Sequence, residues 1–346
     1  MILVLSPRVK VLHFPSSHLV HVTHAIVKLL LFSNTNASDY FFSFTENAYG
    51  ISVVADQYVI ENDFLPALRE AQCPNMDVPE SVHRILQVDD EGGQELSGKR
   101  ISEISEPLAE GRFSILYIST YQTDFVLVRE SKLNKVVNTL RQNGFEVEEE
   151  ENQINELDQQ ASLDEVEANI NDSLLPVDPT QFLLEINVLD NELQCVGLNR
   201  HYRSSWIHTI IKILCYPDLI QGDHNSSLNH KRFCSFVATS EYISLIADTR
   251  IIGTIEEEDA IMREQDGSTL RIIQVCFSGS NIERCGIVRY ISKPLAIDSH
   301  VNMLYLSTFM TANIIVSADD LERAVNILSI PQQPDSPVIN ISRTLS

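Results

Sequence analysis

The chain has 346 residues, 44% of them hydrophobic and 21% charged, which is the composition of an ordinary globular protein of more than one domain and excludes a collagen, a disordered chain or a small disulfide scaffold. Forty-eight acids against 25 bases give a net charge of −23, a field that repels phosphate backbones and anionic lipid, so neither nucleic acid nor a membrane is an expected partner. The six cysteines are scattered with no C-x-x-C pair, and no apolar run approaches the roughly 18 residues that span a bilayer; the expected location is the cytoplasm.

In chain order, Arg8 to Phe14 alternates as a strand, and His21 to Leu31 carries Val22, Ala25, Ile26, Leu29 and Leu30 as a helical stripe. Residues 40–45 and 50–55 read as two strands joined by a turn around Asn47 and Gly50, followed by a helix near 61–71. The pattern restarts with a strand at 83–88, a helix across Ile101 to Ala109, and paired strands at 113–119 and 123–128. A last helix is expected to open at the N-cap Ser131, with Leu133, Val136, Val137 and Leu140 on one face. Residues 146–178 hold twelve acids and no Lys or Arg, which predicts an acidic disordered linker over 146–180. Residues 217–231 read as a polar loop and 331–346 as a disordered, Pro-rich tail.

The chain is then written a second time. His24-Ala-Ile-Val-Lys-Leu-Leu30 returns as His208-Thr-Ile-Ile-Lys-Ile-Leu214, and Ile51-Ser-Val-Val-Ala-Asp56 as Ile243-Ser-Leu-Ile-Ala-Asp248. Pro107-Leu-Ala109 leading to Tyr117-Ile-Ser-Thr-Tyr121 returns as Pro294-Leu-Ala296 leading to Tyr305-Leu-Ser-Thr-Phe309, and Leu133 to Leu140 returns as Leu321 to Leu328, its helix opening at Ser317. Four blocks recurring in the same order imply an internal duplication. Each half holds two strand-helix-strand-strand-helix units, so the fold class is α+β, with four ferredoxin-like βαββαβ units in the whole chain.

Enzymatic signatures are missing: there is no phosphate-cradling glycine motif, nucleophile elbow or paired metal motif. His21-x-x-His24 has no third ligand near it and reads as a surface or core pair. Cys285, beside Arg284 and Arg289, reads as a structural thiol although neighbouring cations favour thiolate. No cofactor is expected.

Ser119-Thr-Tyr-Gln-Thr-Asp-Phe-Val-Leu-Val-Arg-Glu130, Cys285-Gly-Ile-Val288 and Leu306-Ser-Thr-Phe309, with Arg8-Val-Lys-Val-Leu12 and Thr23-His24, resemble the CASTOR (GATS-like) family of cytosolic arginine sensors over about 1–143 and 181–330. The resemblance implies four tandem ACT domains, at 1–75, 76–145, 181–260 and 261–330, and a non-enzymatic amino-acid sensor that modulates a GATOR-type complex in TOR signalling. It implies a ligand pocket between units 2 and 4. Ser114 and Ile115 would come from unit 2; unit 4 would add Gly279, Arg284, Cys285, Gly286 and Ile287 from a loop, and Thr308, Phe309 and Ala312 from a strand. The partner surface would use Tyr121, Gln122 and Asp124, taken as an exposed cluster, and a homodimer helix would use Ile211 and Tyr216. That helix carries Trp206, Ile207, Ile210, Ile211 and Leu214, more apolar surface than one face is expected to hide. Two departures concern the ligand: Ala312 stands where the family's arginine sensor has Asp, and Arg284 where it has Glu, so a small amino acid other than arginine is expected. A regulatory subunit of an amino-acid biosynthetic enzyme and a ligand-free scaffold are the alternatives.

Overall fold

In the computed structural model, residues 1–33, 40–89, 97–149, 183–220, 232–255, 257–263, 269–329 and 340–343 are described. The strands are β1 (Ile2–Phe14), β2 (Phe41–Asn47), β3 (Gly50–Asp56), β4 (His83–Asp89), β5 (Ile115–Ser119), β6 (Thr123–Arg129) and β7 (Val147–Glu149) in the first half. The second half contributes β8 (Leu183–Leu198), β9 (Cys234–Thr239), β10 (Ile243–Asp248), β11 (Ile261–Met262), β12 (Leu270–Phe277), β13 (Met303–Ser307), β14 (Thr311–Ser317) and β15 (Asn340–Arg343). They form one sheet in the order β10-β9-β2-β3-β1-β4-β6-β5-β13-β14-β12-β8, and β8 pairs back onto β10, so the strands close on themselves like a barrel.

The duplication is visible in the pairings. β1 runs antiparallel to β3 and β4 and parallel to β7; β8 runs antiparallel to β10 and β12 and parallel to β15. The halves join where equivalent residues face each other: Phe44 opposite Phe236 between β2 and β9, and Ile118 opposite Leu306 between β5 and β13. Tyr117 and its counterpart Tyr305 meet edge to face with centroids 6.2 Å apart. An approximate two-fold axis therefore relates the halves.

Both faces of the sheet are covered, which is why strands such as Phe41–Asn47 are buried at every residue instead of alternating. Val9, Val11, Phe125, Leu127 and Ile315 belong to a core inside the closed sheet. Outside it, Leu19–Phe32 and Arg203–Cys215 cover one core, and Ser97–Glu110, Leu133–Gln142, Ile287–Lys293 and Leu321–Ser329 cover another.

Several boundaries differ from the sequence reading for local reasons. The first strand begins at Ile2, not Arg8, and its register on β4 shifts between Val4 and Arg8, around Pro7, which has no N–H to give to a ladder. The helix expected near 61–71 starts at Gln57 because Asp56 caps it, accepting from the Tyr58 N–H at 2.8 Å; Asp248 does the same for Arg250 at 3.0 Å. A π turn at Ile60–Phe64 then joins it to Leu65–Glu70. Ser131 is not a cap: it lies inside a 3-10 turn, Glu130–Lys132, that leads into Leu133–Gln142. In the second half Ser317, which matches Arg129 in the repeat, does cap, accepting from the Asp320 N–H at 3.2 Å. The acidic stretch opens with a strand, Val147–Glu149, before 150–182 leave the described residues, and the tail returns as Asn340–Arg343 along β8. Most of the expected polar loop at 217–231 also lies outside the described residues; within it, Pro217–Leu219 is a 3-10 turn.

Candidate ligand site between the second and last quarters

The loop after β12 and the turn after β13 are tied together by backbone. Ser280 accepts from the Ile282 N–H at 3.1 Å and starts a one-turn 3-10 helix, Asn281–Glu283. Asn281 donates its backbone N–H to the Phe309 carbonyl at 2.8 Å and its side-chain amide to the Thr308 carbonyl at 3.1 Å. From the second quarter, the Ser114 hydroxyl donates to the Ile282 carbonyl at 2.5 Å, and Ser114 forms a β-bridge with Cys285. Seven of the expected residues, Ser114, Gly279, Arg284, Cys285, Gly286, Thr308 and Phe309, therefore lie on or against one loop-and-turn assembly. Gly286 adopts φ +82° and opens Ile287–Lys293, a left-handed conformation that costs glycine least.

The remaining three, Ile115, Ile287 and Ala312, are buried together in the helix-facing core. The Thr308 hydroxyl is used inside its own turn, 2.8 Å from the Thr311 hydroxyl. Phe309 turns to the first quarter: its N–H donates to Ser52 Oγ at 3.1 Å and its ring stacks on His13 at 5.4 Å. Arg284 folds back over its own loop, donating to the Ser278 carbonyl. Its guanidinium lies so close to Gly279, at φ +88°, that a Cβ built there would meet Nη2 at 3.2 Å. Burial lowers the Arg284 pKa and the neighbouring Glu283 raises it.

The two-fold repeat explains what Ala312 changes. Its counterpart is Asp124, 1% exposed, which accepts from Arg100 Nε at 2.8 Å and Nη2 at 2.7 Å and from the Tyr117 hydroxyl at 3.0 Å. Burial raises the Asp124 pKa and Arg100 opposes that rise. In the last quarter the same three positions are Ala312, Ile287 and Tyr305. The pair becomes apolar, and the fully buried Tyr305 hydroxyl has no hydrogen-bond partner among the described residues. Neither Arg100 nor Tyr305 was singled out from the sequence, although the Tyr117–Tyr305 repeat was the signal that could have found them. Tyr305→Phe is expected to leave thermal stability unchanged or raise it by about 1 kcal/mol, because only an unpaired hydroxyl is lost. Tyr117→Phe should lower it by about 1.5 kcal/mol, because Asp124 loses a donor. Equal losses in the two melts would contradict this assignment.

The proposed contact surfaces need correction. Asp124 is not an exposed contact but half of a buried ion pair. Tyr121 is half-buried: its N–H donates to Ser244 Oγ at 3.0 Å, and a Cβ built on Gly197 would meet its ring at 2.7 Å. Only Gln122 of the cluster is exposed. On Arg203–Cys215, the residues Trp206, Ile207, Ile210 and Leu214 are buried within the chain, because this helix packs on both the sheet and Leu19–Phe32. Ile211 is half-buried; Tyr216 is exposed. Among the described residues, no group of three metal-ligating side chains forms around His21 and His24, and the six cysteines form no disulfide. No described helix is long and apolar enough to cross a membrane.

The ACT domain model matches residues 80–142 and 267–329, the second and last quarters that carry this site. The cytosolic arginine sensor for mTORC1 subunit 1 of Homo sapiens is 26% identical over 341 residues, covering 95% of this chain and 98% of its own length. That of Mus musculus is 27% identical over 344 residues, covering 95% and 97%. Aspartate kinase from Synechocystis aligns with 94% of this chain and 54% of its own at 12% identity, but its TM-score of 0.34 is too low to bear on function. The chain thus carries ACT-domain repeats and resembles, over nearly its whole length, the cytosolic arginine sensors for mTORC1.

Proposed function

We propose that this protein is a non-enzymatic, cytosolic amino-acid sensor of four ACT units. It binds a small amino acid between units 2 and 4 and through that modulates a GATOR-type complex in TOR signalling. The observation that carries the reading is the join between Ser114 of one ACT match and the Ile282–Cys285 loop of the other, in a chain whose relatives are named as sensors. A ligand wedged at that join would strengthen or loosen the contact between the halves, which is what a binding switch needs. The loop's backbone groups suit an amino acid's ammonium and carboxylate, since both require several hydrogen bonds once buried.

The ligand class follows from Ala312, Ile287 and Arg284. With an apolar pair where the second quarter holds Arg100 and Asp124, and with a guanidinium already over Gly279, the site favours a neutral or acidic side chain over a cationic one. Gln122 and the edge of Tyr121 form the partner contact in this reading. Tyr216, 46% exposed at the end of Arg203–Cys215, belongs to a homodimer face. A thermal-shift screen of the twenty amino acids tests the proposal: a ligand at 100 times its Kd should add about 2.7 kcal/mol, and the stabilising set should exclude arginine. No stabilisation by any amino acid would leave the scaffold reading in its place.

A further inference from the structure

The two halves fill the same sheet edge with a strand but fasten that strand differently. β7 lies parallel to β1 with Val147 opposite Ile2 and Glu149 opposite Val4; β15 lies parallel to β8 with Ile341 opposite Ile186 and Arg343 opposite Val188. The two edges are equivalent, because Ile2 faces Val88 of β4 as Ile186 faces Val275 of β12. Ile2, Ile186 and Val188 belong to the helix-facing core, and so does Val147, which is 8% exposed. An aliphatic residue at this register position therefore completes that core.

In the first half the strand is fixed by a tight turn and a clamp. Four residues, 143–146, join it to Leu133–Gln142. Gly144 turns the chain at φ +87°, the Phe145 N–H donates to the Leu140 carbonyl at 3.1 Å, and the Ile2 N–H donates to the Glu146 carbonyl at 2.8 Å. The Arg141 guanidinium then holds the strand itself, donating to the Val147 carbonyl at 2.9 Å and to the Glu149 carboxylate at 3.2 Å. In the second half ten residues, 330–339, separate Leu321–Ser329 from β15. The position of Arg141 is taken by Ser329, whose hydroxyl donates to the Val325 carbonyl of its own helix. A four-residue parallel strand on a long tether, without that arginine, opens more readily than the rest of the sheet. The β8 edge it leaves is a template for another strand.

We propose that the β8 edge at Glu185–Val188 is a strand-addition site for a partner protein, taking in place of Asn340–Arg343 an extended segment with an aliphatic residue opposite Ile186 and no acid. This site does not rest on the amino-acid reading above. Main-chain hydrogen bonds supply the affinity in such additions, and alternate side chains supply the specificity. Acids are disfavoured because Ser329 replaces the arginine that holds Glu149 in the first half, and because the net charge of −23 repels them. The chain's own segment has this pattern: residues 338–346 hold Arg343 and no Asp or Glu.

Fluorescence anisotropy with a labelled peptide of residues 336–346 tests the site on the full chain. Ile341→Asp gives the chain's own strand an acid at the position that Val147 holds buried in the first half, so that strand should release the edge. This variant should bind the peptide saturably with a Kd below about 1 mM, and the wild type, whose tethered strand competes, at least about tenfold more weakly. The same peptide carrying Ile341→Asp should bind neither chain. Hydrogen exchange on the wild type needs no variant: the amides of 340–343 should exchange at least about tenfold faster than those of 147–149. If Ile341→Asp does not fold, this comparison decides. No saturable binding to the variant, equal affinity of the two chains or of the two peptides, or equal protection of the two strands would overturn the proposal. So would a wild-type dimer that Ile341→Asp dissolves, which would assign the edge to a second copy of this chain.

Discussion

Replacing Arg100 with Met should destabilise the protein by about 3–5 kcal/mol, because it strands the Asp124 carboxylate among apolar side chains. Asp124 is 1% exposed and receives two hydrogen bonds from that guanidinium, while the Arg100 side chain itself is 16% exposed. The hydroxyls of Tyr117 and Ser119, which also reach the carboxylate, cannot replace a cation. Asp124→Ala with Arg100→Met should recover much of the loss, since the double variant recreates the Ala312–Ile287 arrangement of the last quarter. Chemical denaturation of the two single variants and the double variant gives the coupling directly. A loss below about 1 kcal/mol in Arg100→Met would mean that the carboxylate is solvated and available to a partner.

Acidification should cost about 3 kcal/mol through His83 alone. Burial and the nearby Arg129 guanidinium lower its pKa to about 4 from the ordinary 6.5. The unfolded chain therefore binds the proton first, and the stability contributed by neutral His83 is complete above pH 6.5 and lost as pH falls from there to about 4. Roughly 2.5 pH units at 1.36 kcal/mol each sets the size. His13, buried against Phe309, is lowered in the same direction, so the effects add. Unfolding free energies of wild type and His83→Gln between pH 7 and 4 should converge as pH falls, since only the wild type has this proton to bind. Parallel curves would contradict the assignment.

The internal repeat was legible in the sequence because each half had to bury the same faces. The helix stripe at Val22, Ile26 and Leu29 and the pairs at Ile51–Asp56 and Ile243–Asp248 appear where the periodicity placed them. Strands β7 and β15 were not legible: three and four residues long, they lie in acidic or Pro-containing stretches and owe their strand form to distant partners, β1 and β8. The apolar excess of Arg203–Cys215 looks in sequence like one face too many because the helix has two buried faces, one on the sheet and one on a neighbouring helix. Asp124 could have been placed. It alternates with Val126 and Val128, which face the helices, as Ala312 does with Ile314 and Val316, and a carboxylate in that row needs a cation. What the row does not contain is the identity of that cation, which comes from a helix more than twenty residues earlier.

In the function proposed above, the last quarter binds an amino acid but sets the apolar pair Ala312 and Ile287 where the second quarter holds Asp124 and Arg100. Calorimetry with arginine on the wild type and on an Ala312→Asp, Arg284→Glu variant tests it most directly. The Arg100–Asp124 pair is the pattern that the variant would imitate, and a buried guanidinium without its carboxylate loses about 3–5 kcal/mol, roughly a hundredfold or more in Kd. The variant should bind arginine at least a hundredfold more tightly than the wild type. Micromolar arginine binding by the wild type, no weaker than that of the variant, would contradict it.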